Sequence, residues 1–212
     1  MSSQNSIEAH RLAAQRGDAR LFDGVDFSLQ AGEALVVSGR NGSGKTTLLR
    51  IVAGLTTPAE GEIRWRGEST STFDPRLRAA VAFNGHASAL KDELTAEENL
   101  DAWIALDGPR AARESLAGAL DAVALLKQRR LPVRVLSQGQ RRRVGLARLA
   151  LVRRAVWILD EPLTALDADG ASMLGALLDA HLAQGGLCIA ASHQPLPIAP
   201  DRVRRLALGA ST

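Results

Sequence analysis

Apolar residues gather along the chain in two ways. Short, nearly unbroken runs stand at Ala34-Leu-Val-Val-Ser38, Ala155-Val-Trp-Ile-Leu159 and Leu187-Cys-Ile-Ala-Ala-Ser192. Runs of that length predict strands buried on both faces, as in a parallel sheet. Gly61-Glu-Ile-Arg-Trp-Arg-Gly67 alternates instead, which predicts a half-exposed strand; Val81 to Phe83 predicts another, and Arg202 to Leu208 an edge strand. Thr46 to Ala53 predicts a helix closed by Gly54. From about Thr95 to Leu151 the spacing becomes helical, with Leu116, Leu120 and Val123 on one face. Leu174, Leu177, Leu178 and Leu182 mark a further amphipathic helix closed by Gly185-Gly186. Strand–helix alternation at both ends of a helical insert predicts one α/β domain over 1–212. Its core covers about 1–90 and 152–212, and its helical lobe about 91–151. Met1 to Ser6 and Gly209 to Thr212 are expected to be loose.

Composition narrows the class. A chain of 212 residues buries a core without staples. At 46% hydrophobic and 23% charged, it is not a disordered chain, a collagen or a coiled-coil rod. No apolar run is long enough to span a bilayer, and the first residues carry no apolar leader, so no secretory signal is expected. Cys188 stands alone, which excludes a disulfide framework and a four-thiolate metal site and suits a reducing compartment. It reads as a small core residue. No C-x-x-C-H is present, so haem is not attached by that route. The net charge is +3, and lysine occurs only at Lys45, Lys91 and Lys127. A mildly basic surface suits an anion without choosing among lipid, nucleic acid and nucleotide.

The chemistry begins after the first buried run. Gly39-Arg40-Asn41-Gly42-Ser43-Gly44-Lys45-Thr46, followed by Thr47, matches G-x-x-x-x-G-K-[ST]. Glycines let successive N–H groups turn toward phosphate oxygens, and the helix behind them adds its N-terminal partial charge. Lys45 is placed to reach the β- and γ-phosphates and Thr46 to offer its hydroxyl to Mg²⁺. The second buried run ends in Asp160-Glu161. Asp160 fits an acid that holds Mg²⁺, and Glu161 a general base that polarises water.

Three further segments follow in an order that resembles the ATP-binding cassette family across about residues 7–208. Leu136-Ser137-Gln138-Gly139-Gln140 resembles the L-S-G-G-Q signature, Thr164-Ala-Leu-Asp167 the D-loop, and Ser192-His193 the switch histidine. The resemblance implies a P-loop fold with a parallel-sheet core, a small antiparallel β lobe and a helical lobe. It implies ATP and Mg²⁺ as cofactors, and a head-to-tail homodimer in which each signature serves the partner's ATP. His193 is then expected to contact the γ-phosphate. His86, in Asn84-Gly85-His86, stands where most cassettes place the Q-loop glutamine, with a catalytic and Mg²⁺-binding role by analogy. Gln138 replaces a usual glycine. With Gln194-Pro195-Leu196 after the switch, these departures are similar to the ATP-binding subunits of bacterial cytochrome c maturation. That likeness implies a membrane partner, CcmB, beside CcmC and CcmD, with the periplasmic haem chaperone CcmE acted on indirectly. It implies a peripheral place on the cytoplasmic face of the inner membrane, and no nucleic acid partner.

Other residues read more plainly. Arg16 stands where many cassettes stack an aromatic ring on adenine; guanidinium stacking and plain solvent exposure both fit. His10 and His181 lack partners at metal spacing and read as surface or boundary residues. Arg141-Arg142-Arg143 reads as the solvated side of the signature helix near the nucleotide and dimer face, and Trp65, Trp103 and Trp157 as packing residues. A soluble cassette acting on DNA or ribosomes usually carries a long insertion, for which the stretch from His86 to Ser137 leaves no room. A small-molecule kinase has no use for the signature, D-loop and switch in this order.

Overall fold

The computed structural model describes residues 5–85, 89–107, 116–152 and 154–209. Five strands form a wholly parallel sheet: β3 (Ala34–Gly39), β6 (Val81–Asn84), β7 (Val156–Asp160), β8 (Leu187–Ala191) and β9 (Val203–Leu208). Their order is β6-β7-β8-β3-β9. β7 and β8 are buried at every residue, as their unbroken apolar runs require. β9 lies at the edge, which explains its weak alternation.

The pleat of this sheet feeds two cores. Leu35 and Val37, with Ile158 and Ile189, face α1 (Lys45–Val52) and a second sheet. That sheet is antiparallel and built from β1 (Ser6–Arg16), β2 (Ala19–Gln30), β4 (Glu60–Trp65) and β5 (Glu68–Thr70). Its long β1–β2 hairpin is the antiparallel lobe that the family resemblance implied, although the hydrophobic pattern did not single out either strand. Ser6 opens β1 and Asn5 donates to the Gly185 carbonyl at 2.9 Å, so Asn5 and Ser6 are held rather than loose; Met1 to Gln4 and Ala210 to Thr212 lie outside the described residues. The opposite pleat, Ala34, Val36, Trp157, Leu159, Cys188 and Ala190, faces α5 (Gln138–Leu151) and α6 (Ala168–Ala183). The Cys188 thiol is fully buried, which pushes its pKa up to about 12, and it acts as a packing residue.

A third core belongs to the helical segment, where α3 (Ala96–Asp107), α4 (Leu116–Ala122) and α5 meet through Leu100, Leu120, Val123 and Val144. The segment entering α3 is tied by the buried Asn99. Its Oδ1 accepts the Lys91 N–H at 2.8 Å, and its Nδ2 donates to the carbonyls of Lys91, Leu94 and Thr95.

Of the surface and boundary places expected for it, His181 takes the boundary one. Its ring stacks on Trp157 with centroids 3.9 Å apart, and its Nε2 meets the Leu187 carbonyl at 3.0 Å. Burial pulls its pKa down to about 4, so it is neutral at physiological pH. Gly186 has to be glycine here, because a Cβ would enter the His181 ring.

Candidate nucleotide site

Parallel strands end on one side, so the loops that follow them are gathered there. β3 runs into the glycine loop, β7 into Asp160-Glu161, β8 into Ser192-His193 and β6 into Asn84-Gly85. The register sets this in place, pairing Asp160 with Ala191 and Asn84 with Leu159. His86 itself lies outside the described residues.

The glycine loop is constrained at both ends. Gly39 has φ +149, and a Cβ there would lie 2.6 Å from the Leu208 carbonyl oxygen. Gly44 has φ +93 and sits 2.9 Å, measured from an added Cβ, from the Phe22 ring. Gly44 caps α1 with no side-chain hydrogen bond, and the first turn holds no acid. The leading N–H groups of α1 therefore have no side-chain partner and carry the helix's positive end. Lys45 is 9% exposed, and its Nζ donates to the carbonyls of Gly39 at 2.7 Å and Arg40 at 3.2 Å. The ammonium is thus folded onto its own loop, where phosphate oxygens can take over from the carbonyls.

Thr46 Oγ1 donates to Asp160 Oδ2 at 2.9 Å. Asp160 is 4% exposed. A hydroxyl and a carboxylate side by side at the cleft floor are hard oxygen donors, the set that Mg²⁺ takes when phosphates and water complete its shell. Glu161 follows in the left-handed region at φ +48, with its N–H donating to the Ala191 carbonyl at 2.9 Å. That conformation is uncommon for a residue with a side chain and turns Glu161 out of the strand line. His193 Nε2 lies 3.5 Å from Glu161 Oε1. A turn presents the imidazole: Ser192 Oγ donates to the Gln194 carbonyl at 2.7 Å and accepts the Gln194 N–H at 3.1 Å. Arg16, Asn41, Gly42, Gly44, Lys45, Thr46, Thr47, Asp160 and Glu161 all line one cleft of about 360 Å³. Arg16 enters from the end of β1, beside Leu21.

The signature residues are absent from that cleft's walls. Ser137 caps α5, accepting the Gln140 N–H on its Oγ at 3.2 Å, while Gln140 Oε1 accepts the Ser137 N–H at 2.9 Å. This reciprocal capping box satisfies two N–H groups at the helix start. Leu136 is buried in the lobe's core, and Gly139 lies against the Ala165 carbonyl, 2.9 Å from an added Cβ. Gln138 lines a second cleft with Thr164 and Ala165 of the D-loop. Asp167 caps α6 through the Gly170 N–H at 2.9 Å and accepts Arg143 Nη2 at 2.5 Å. The Gly170 N–H, then Arg143, hold its carboxyl below the usual range.

The arginine run is not the solvated face expected of it. Arg142 is 6% exposed and Arg143's side chain 14%. The signal was present in the spacing: Arg142, Leu146 and Leu149 fall at i, i+4 and i+7, the buried stripe of α5.

The chain matches the ABC transporter family over residues 22–164. It is similar to the cytochrome c biogenesis ATP-binding export protein CcmA of Pseudomonas aeruginosa, 46% identical over 94% of this chain and 98% of the relative. In structure it is similar to a putative ABC transporter ATP-binding protein from Pyrococcus furiosus, with a TM-score of 0.80, 24% identity, and coverage of 96% and 97% of the two chains. It is also similar to a dimeric ATP-binding cassette in a post-hydrolysis state bound to ADP and Pi. That match has a TM-score of 0.77, 23% identity, and coverage of 89% and 88%. Family match, near full-length relatives and the P-loop cleft agree: the chain is an ABC-type ATPase and belongs, within the ABC transporter family, to the cytochrome c biogenesis ATP-binding export proteins.

Proposed function

We propose that this chain is the ATP-hydrolysing subunit of a haem export system in cytochrome c biogenesis, and that it works as a head-to-tail pair. The observation that carries the pairing is the division of the machinery within one chain. Lys45, Thr46, Asp160 and Glu161 share a cleft, while Ser137 stands outside it. A second copy supplies the missing signature. The dimeric cassette with ADP and Pi is a precedent in the same fold.

In this reading the α1 N-terminus and Lys45 bind the β- and γ-phosphates, and Arg16 stacks along the base. Thr46 and Asp160 would hold Mg²⁺, which supplies charge neutralisation between the phosphates when bound. Glu161 accepts a proton from the attacking water as its oxygen bonds the γ-phosphorus; the bond to the bridging oxygen breaks and ADP leaves with the electron pair. His193, beside Glu161, holds the γ-phosphate and the water in line. His86 stands in for the Q-loop glutamine. An imidazole titrates near neutrality, so activity should fall at mildly acid pH more than in a His86→Gln variant; superimposable profiles would remove His86 from the site.

No helix among the described residues is long and apolar enough to cross a membrane. The output of ATP binding and hydrolysis is therefore read as mechanical: two copies close and part. The charged stretch Lys91-Asp92-Glu93, held by Asn99, is the surface offered to a CcmB-like membrane subunit on the cytoplasmic side, with CcmC, CcmD and the chaperone CcmE beyond it. The test is a strain carrying only the Lys45→Ala chain. Haem should remain on its periplasmic chaperone while mature c-type cytochrome is lost; normal cytochrome c would refute the pathway.

A further inference from the structure

Three successive arginines on α5 each tie the signature helix to a different segment. Arg141 Nη1 donates to Asp92 Oδ1 at 3.1 Å, toward the stretch before α3. Arg143 Nη2 donates to Asp167 at 2.5 Å, in the D-loop. Both partner carboxylates are exposed, and such pairs contribute little on their own. Arg142 differs from its neighbours. Its Nη2 donates to the main-chain carbonyls of Asp160 and Glu161, both at 2.8 Å, and its Nη1 to the Gly85 carbonyl at 3.0 Å.

One planar guanidinium therefore joins the end of β7 to the residue that leads out of β6. It grips the carbonyl of Glu161, the residue held at φ +48. Burial pulls the Arg142 pKa down, and the Asp160 and Glu161 carboxylates pull it back up; a guanidinium keeps its charge throughout. Removing a charged donor from three carbonyls leaves them short of partners in a site with little water to replace it. Arg142 also lies on the same unbroken helix as the signature, five positions after its cap Ser137, or roughly 7.5 Å along the axis.

We propose that Arg142 is a positioning residue that relays the placement of the signature helix to the chain's own Glu161 and to the segment opening at Gly85. Ser137 faces the partner's nucleotide, and Arg142 holds this chain's hydrolytic carboxylate. Docking of α5 on the partner's ATP is then felt at the end of this chain's β7, with no flexible joint between. Each chain hydrolyses in response to the other's nucleotide. The proposal rests on the reading of Glu161 as the base and of Ser137 as acting across the dimer.

The test uses the full chain as Arg142→Lys, Glu161→Gln and the double variant. Lysine keeps the charge, but an ammonium cannot reproduce a planar fork across three carbonyls. Arg142→Lys should lose about 10–100-fold in kcat while KM for ATP stays within about threefold. Its Hill coefficient for ATP should fall from between one and two toward one. The double variant should still form the ATP-held dimer that Glu161→Gln forms, because closure precedes the step that Arg142 serves. Arg142→Gln, a neutral side chain with two N–H donors on one nitrogen, should show the same loss of kcat at near-constant KM and replaces the lysine variant if that one does not fold. Wild-type kcat and cooperativity in Arg142→Lys would overturn the proposal. So would loss of the dimer together with kcat, which would make Arg142 a structural brace. Full turnover in Glu161→Gln would instead overturn the assignment of the base, whatever Arg142 does.

Discussion

Two helices in this chain begin at motifs that the family resemblance assigns to phosphate binding, and they begin differently. α1 starts at a glycine in the left-handed region, with no side-chain cap, no acid in its first turn and a buried lysine as its first residue. α5 starts at Ser137 with a closed capping box, in which Ser137 Oγ accepts the Gln140 N–H and Gln140 Oε1 accepts the Ser137 N–H. An uncapped start leaves its leading N–H groups to a ligand; the capping box takes up one of those N–H groups and leaves the Ser137 hydroxyl proton to donate. The contrast orders the events. In the proposed dimer, ATP seats first on the P-loop of one chain, and the partner's signature joins second.

The largest effect separates binding from chemistry. Glu161→Gln should retain ATP binding and lose about 10²–10⁴ in turnover, read in a steady-state phosphate-release assay. Lys45→Ala acts on the uncapped helix start. It should weaken ATP binding by about 10–100-fold in a titration, the loss of one charge-assisted contact. Ser137→Ala acts on the capped start. It should leave the affinity of a single chain for ATP unchanged, lower turnover about tenfold, and cost about 1 kcal/mol of stability through the lost cap. Equal loss of ATP affinity in the lysine and serine variants would erase the distinction between the two helices.

The smallest effect on activity comes from the other end of the sheet, where His181 touches neither helix start. A histidine held at about 4 binds no proton in the folded chain, but takes one up when unfolded as pH falls below about 6.5. Stability is therefore fully present above pH 6.5 and is lost on going down toward 4, by at most about 3 kcal/mol. His181→Phe keeps the stack on Trp157, so it should flatten that part of the pH–stability curve in thermal melts. ATPase activity at pH 7 should scarcely change.

The buried strands, the P-loop, the acid pair and the signature were legible because each rests on short-range pattern: an apolar run, a glycine spacing, a motif order. The β1–β2 hairpin was less so. Its burial is interrupted by bulges between Ala9 and Leu12 and between Leu12 and Ala14, which break the period-two signal. His181 was legible only as a surface or boundary residue, because its partners, Trp157 and the Leu187 carbonyl, are brought to it by the sheet rather than by neighbouring sequence. Arg142 was misread because three consecutive arginines suggest solvent. Its partners are backbone carbonyls at the ends of β6 and β7, which sequence does not mark as acceptors. The glycine at 139 was legible as a motif letter, but its physical reason, the Ala165 carbonyl, became visible only with the D-loop in place.

The division of one catalytic site between two chains is tested most directly by sedimentation of the Glu161→Gln chain with and without ATP. The account expects a single chain without nucleotide and a dimer holding one ATP per chain with it. Adding Ser137→Glu, which sets a negative charge against the partner's phosphates, should leave ATP bound but return the protein to single chains. A dimer that survives Ser137→Glu, or a specific ATPase rate of the unmodified chain that does not change with protein concentration, would contradict it.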